Sequence, residues 1–79
     1  MKLSVIVTLK KEVLDPQGKV IQQTINNMNI AEISDVRQGK YFELEIDEKN
    51  HDKANEKVNE ICKKLLANLV IEDFRILKN

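Results

Sequence analysis

The chain has 79 residues, with 13 basic and 13 acidic side chains that cancel and only three aromatics, Tyr41, Phe42 and Phe74. Zero net charge and scattered aromatics exclude a generic basic nucleic-acid face and a base-stacking platform. No run approaches the roughly 20 apolar residues that span a bilayer. A chain this short is one domain, residues 1–79, with a thin core. Its lone cysteine, Cys62, allows no internal disulfide. A single thiol behind an N-terminus without a secretory pattern points to the cytoplasm. A thin core without a covalent staple favours self-association, and the absence of net repulsion between copies makes it easy.

The first element alternates strictly. Leu3, Val5, Val7 and Leu9 share one face, and Lys2, Ser4, Ile6, Thr8 and Lys10 the other, which is a half-buried strand. Asp15 then caps a helix whose first position is Pro16, where a missing N–H costs nothing. Ile21, Ile25 and Met28 form its apolar stripe with Val20 alongside, and the asparagines Asn26, Asn27 and Asn29 mark its end. Gly18 is the anomaly. Glycine in a first helical turn gives away roughly 0.5–1 kcal/mol relative to alanine. A close backbone contact, with a partner subunit in this reading, accounts for it better than helix stability.

The segment from Ile33 to Asp47 is the second β region. Val36, Phe42, Leu44 and Ile46 share one parity across Gly39, so a two-residue hairpin there puts Val36 with Glu43 and Glu45 and is disfavoured. The pattern predicts one long strand bent or bulged at Gly39, and a three-residue turn over Gln38-Gly39-Lys40 gives a related four-stranded reading. A second helix follows from about His51 to Asn68, with Ala54, Val58, Ile61, Cys62, Leu65 and Leu66 on its apolar side. Val70 to Leu77 closes the chain as a strand.

The order β-α-β-α-β implies an α+β fold: an antiparallel sheet with two helices on one face, a relative of the ferredoxin-like fold. The helices are expected over Leu3, Val5, Val7, Leu9, Val36, Phe42, Leu44, Ile46, Val70, Phe74 and Ile76. The opposite sheet face carries Ile6, Tyr41, Ile71 and Leu77 among polar residues. Apolar groups gathered there mark an interface, and the expectation is a dimer stacked sheet on sheet.

Chemistry is sparse. His51 has no partner of catalytic type, Cys62 sits beside an apolar stripe, and Glu43 with Glu45 lacks the further ligands a metal needs. The pairs Lys10-Lys11 and Lys63-Lys64 read as solvated surface. Gly18 at a helix start could admit an anion, yet no glycine-rich phosphate loop surrounds it. No catalytic, cofactor or metal residues are assigned. The alternative carried by that glycine is a small regulatory ligand-binding module of ferredoxin-like type.

Three blocks, in order, carry a resemblance. They are Val7-Thr8-Leu9-Lys10-Lys11 with Val13-Leu14-Asp15-Pro16-Gln17-Gly18, then Val36-Arg37-Gln38-Gly39-Lys40-Tyr41-Phe42-Glu43-Leu44. The third is Cys62 with Lys64-Leu65-Leu66-Ala67-Asn68 and Val70-Ile71-Glu72-Asp73-Phe74. Over essentially the full length the chain resembles the PurS family, small subunits of bacterial phosphoribosylformylglycinamidine (FGAM) synthase. Glu12 stands where the family usually has glycine, and Leu69 where it often has proline. The resemblance implies a non-catalytic subunit of a ligase in de novo purine synthesis. That complex converts formylglycinamide ribonucleotide with ATP and glutamine-derived ammonia. The chain would bind no cofactor itself, ATP and magnesium belonging to the large subunit. It also implies a homodimer or a pair of dimers, joined to a synthetase subunit, PurL, and a glutaminase subunit, PurQ. The expected partner contacts are Asp15, Pro16, Gln17 and Gly18 with Arg37, Gln38, Gly39 and Lys40. The expected dimer face is Ile6, Tyr41, Ile71 and Leu77.

Overall fold

The computed structural model describes residues 1–78. Three strands, β1 (Lys2–Leu9), β2 (Gly39–Glu45) and β3 (Glu72–Lys78), form an antiparallel sheet in the order β2-β1-β3. The two helices are α1 (Pro16–Asn27) and α2 (His51–Ile61), giving the expected β-α-β-α-β succession. The first strand in sequence is therefore the central one. Its alternation is used on both sides: Val5 faces Phe42 of β2 and Ile76 of β3, while Ile6 faces Tyr41 and Arg75.

Leu3, Val5 and Val7 are fully buried or nearly so, beneath Ala54, Val58 and Cys62 of the second helix. Phe42, Leu44, Ile46, Phe74 and Ile76 are half-buried around them. Asn50 caps α2, its side chain accepting from the Lys53 amide at 3.1 Å. The helix then widens into a π-helical turn, Cys62–Leu66, closed by the Ala67 amide donating to the Cys62 carbonyl at 2.9 Å. The extra residue in that turn shifts the stripe. Leu65, expected inside, is 78% exposed, and Leu66 takes the inward position.

Three further expectations are corrected. The strand does not begin at Val70, which is 82% exposed. Asn68 makes a turn instead, its side chain accepting from the Val70 amide and its carbonyl from Ile71 and Glu72. The second β region is shorter than Ile33 to Asp47, because regular pairing begins at Gly39. Val36 lies outside the sheet, and Gly39 neither bends one strand nor turns two; it opens β2. Finally, only α2 covers the inner face. In α1 the one buried residue is Gly18, and the helix leaves the sheet as an arm that gives the molecule a long axis of 49 Å against 25 and 14 Å. Asn29, with φ of 65°, reverses the chain at the arm's tip, a left-handed conformation that asparagine tolerates.

Candidate functional site

The arm is fastened to the sheet by a clasp of backbone groups. Asp15 is the N-cap of α1, and one carboxylate oxygen accepts from the Gly18 amide at 2.9 Å. Its other oxygen accepts from the Gln38 amide at 2.7 Å, across 23 residues of sequence. Both bonds favour the ionised form, so the Gln38 amide, then the Gly18 amide, hold the Asp15 carboxyl below its ordinary value. Arg37 completes the clasp from the other side. Its guanidinium donates to the Lys10 carbonyl at 2.8 Å and the Val13 carbonyl at 2.9 Å, tying down the loop before Asp15.

The two glycines are explained by the same geometry. A Cβ on Gly18 would lie 2.1 Å from the Val36 carbonyl oxygen, and one on Gly39 would lie 2.5 Å from that of Val7. Each glycine lets one strand of backbone press against another. The close backbone contact expected at Gly18 exists within the chain, against Val36.

The clasp brings together the two segments singled out in the sequence. Asp15 and Gly18 are buried, whereas Pro16, Gln17, Arg37, Gln38, Gly39 and Lys40 are exposed around it. Gln17, Gln38, Gly39 and Lys40 line an open cleft of about 200 Å³ with Val7, Leu9, Asp15 and Glu72. Lys40 reaches Glu72 across this cleft at 3.9 Å. The anion site imagined at the helix start is filled internally, because the Asp15 carboxylate takes the Gly18 amide that an anion would use.

No sequence signal announced Arg37 as the residue that stitches the loop. Its partners are carbonyls 24 and 27 residues away, and carbonyls carry no side-chain signature. His51 begins α2, and its Nε2 is buried without a hydrogen-bond partner. Cys62 is fully buried, and burial pushes its thiol above the ordinary value. Among the described residues no group of three or more His, Cys, Asp or Glu could hold a metal ion. No helix among them is long and apolar enough to cross a membrane.

On the other sheet face, Ile6 pairs with Tyr41, and the Tyr41 hydroxyl meets Ser4 Oγ at 2.8 Å over a fully buried serine. Leu77 sits opposite Ser4 on the far side. Tyr41 is 57% and Ile71 40% exposed, while Ile6 and Leu77 are half-buried. Ile71 precedes β3, its carbonyl accepting from the Lys10 amide at 2.8 Å.

A family model described as PurS, phosphoribosylformylglycinamidine (FGAM) synthase, matches residues 2–79. The chain belongs to the PurS family. It is 50% identical over 74 residues to the synthase subunit PurS of Bacillus subtilis, covering 94% of this chain and 87% of that one. The Methanocaldococcus jannaschii subunit is 41% identical over 75 residues, covering 95% and 90%. A solved structure of Bacillus subtilis PurS matches with a TM-score of 0.83 at 51% identity, covering 95% of this chain and 92% of that one. A chain in the structure of PurLQS from Thermotoga maritima matches with a TM-score of 0.88 at 31% identity, over 95% and 92% of the two chains.

Proposed function

We propose that this chain is the small, non-catalytic subunit of FGAM synthase in purine biosynthesis, working in the cytoplasm beside a PurL synthetase and a PurQ glutaminase. The observation that carries the reading is its likeness to a chain in the Thermotoga maritima PurLQS structure. ATP and magnesium then belong to the large subunit. The chemistry explains why a subunit without a reaction centre matters. Ammonia released in one subunit and used in another must be shielded from water, and contact surfaces that align the two centres do this without making or breaking bonds.

The clasp suits such a role. It holds Pro16, Gln17, Gln38 and Lys40 on one rigid corner, where they would contact a larger subunit. The opposite sheet face, with Ile6, Tyr41, Ile71 and Leu77, would meet a second copy. Reconstitution tests the assignment. Glutamine-dependent FGAM formation by purified PurL and PurQ should fall to background when this chain is left out, while ammonia-driven formation persists. Unchanged glutamine-dependent activity without it would sink the proposal. For the sheet face, Tyr41→Glu should lower the mass seen in sedimentation; an unaltered assembly would remove that surface from consideration.

A further inference from the structure

The cleft beside the clasp has a chemical character that the clasp's own bonds leave free. Val7 and Leu9 of β1 give it an apolar side. Two carboxylates, Asp15 and Glu72, line it against a single ammonium, Lys40, so the lining is negative. Gln17 and Gln38, both exposed, add side-chain amides. Neither carboxylate is closely neutralised. Asp15 accepts from the Gly18 and Gln38 amides, and the neighbouring Arg37 guanidinium donates to the carbonyls of Lys10 and Val13 instead. Glu72 has a side chain only 14% exposed, and its Oε1 accepts from the Asn68 amide at 2.7 Å. Among the described residues its Oε2 pairs only with Lys40, at 3.9 Å, beyond hydrogen-bond reach, and the Lys40 side chain is 62% exposed.

Size and charge choose among occupants. At about 200 Å³ the cleft is smaller than the roughly 300–1,000 Å³ of pockets that enclose a small molecule. One side chain entering from another protein surface matches that scale. An anion meets two carboxylates and is repelled. A lysine brings a compact, strongly hydrated point charge. An arginine brings a planar, weakly hydrated fork of donors that serves several acceptors together, and its methylenes lie well on apolar surface.

From this we infer that the cleft is a socket for one arginine of a larger partner subunit, its guanidinium on Glu72 Oε2 and its stem along Val7 and Leu9. The inference rests on the proposed place of this chain beside PurL and PurQ, and adds to it the chemistry of the contact. Arginines seated in closed pockets are among the side chains that dominate interface energetics. Lys40 marks the site in the free chain, at a distance that an arriving guanidinium overcomes by bonding directly. This chain is a poor source of that arginine. It has two, Arg37 and Arg75. Arg37 is engaged in the clasp, and Arg75 lies in the cross-strand row of Ile6 and Tyr41, on the sheet face opposite Val7. Seating Arg75 in the cleft of another copy joins two different faces, a head-to-tail contact that does not close as a pair.

Two measurements on the full chain test it. In the first, the chain is titrated into purified PurL and PurQ, and the concentration giving half-maximal glutamine-dependent FGAM formation is read. Glu72→Gln keeps an acceptor for the Asn68 amide but loses the charge, and should raise that concentration about 10-fold or more. Lys40→Met keeps the stem but removes the competing charge, and should lower it. Reversed signs, or no change with either variant, would overturn the socket while leaving the subunit assignment intact, because the unsubstituted chain still activates. In the second, the isotope-labelled chain alone is titrated with N-acetylarginine amide and with its norleucine counterpart. Amide NMR should show saturable shifts at Gln38 and Gly39 with the arginine compound only, lost in Glu72→Gln. Equal responses to both compounds, or none to the arginine compound at about 100 mM, would equally overturn the socket, whether or not PurL and PurQ respond to the chain.

Discussion

Replacing Gly18 by alanine sets two effects against each other, and the structure decides the sign. Helix propensity alone predicts a gain of about 0.5–1 kcal/mol, because glycine is the poorer helix former. The added methyl, however, would sit 2.1 Å from the Val36 carbonyl oxygen and 3.0 Å from its carbon. Both are backbone atoms, held by the adjacent Arg37 and Gln38 bonds, so they cannot swing away as a side-chain tip would. Overpacking of this kind costs about 1–3 kcal/mol. Taking the middle of each range leaves a net loss of about 1.3 kcal/mol, or roughly a 10-fold shift toward the opened clasp. Amide hydrogen exchange at Gly18 and Gln38 reads this directly, because both amides donate to Asp15. Their exchange should accelerate by that factor, and any fall in melting temperature is read at fixed protein concentration. Unchanged or slower exchange would show that the Val36 contact yields easily and that propensity governs the position.

Asp15→Asn tests the carboxylate by pH. The folded-state value of Asp15 is depressed from about 3.8, so its contribution is fully present above that pH and is lost as pH falls through the lower folded value. Wild type should therefore melt above the variant at pH 7, with the gap closing below about pH 3.8; a pH-independent gap would contradict this. Val5→Ala in the centre of the sheet should cost about 2–3 kcal/mol by chemical denaturation, through two lost methyl groups and the cavity they leave. The Cys62 thiol, fully buried and pushed up by burial, should react with a disulfide reagent only as the chain unfolds, so prompt labelling of native protein would contradict its placement.

Periodicity carried most of the fold. The parity of Leu3, Val5 and Val7 and the spacing of Ala54, Val58 and Cys62 are local signals, and the structure uses both as read. What periodicity could not carry was whether an apolar stripe has something of its own chain to cover. Ile21, Ile25 and Met28 made a sound helix and implied a sheet beneath it, yet the helix stands clear. Likewise Val36 shares the parity of Phe42 and Leu44, but pairing starts only where β1 offers a neighbour, at Thr8 opposite Gly39. The capping role of Asp15 was legible because capping is local. Its second bond to Gln38 and the twin bonds of Arg37 were not, since they join segments that only the folded chain brings together.

The central position of β1 has a consequence for the making of the protein. Leu9 leaves the ribosome early, but its partner in β3 is Glu72, 63 residues later. At about 5–20 residues per second, that interval lasts roughly 3–13 s. Throughout it β1, with its apolar row Leu3, Val5 and Val7, lacks the β3 neighbour on one edge. The β1–β3 pairing must therefore wait until Glu72 and the residues after it have been made, which makes the nascent chain a natural client for holding chaperones.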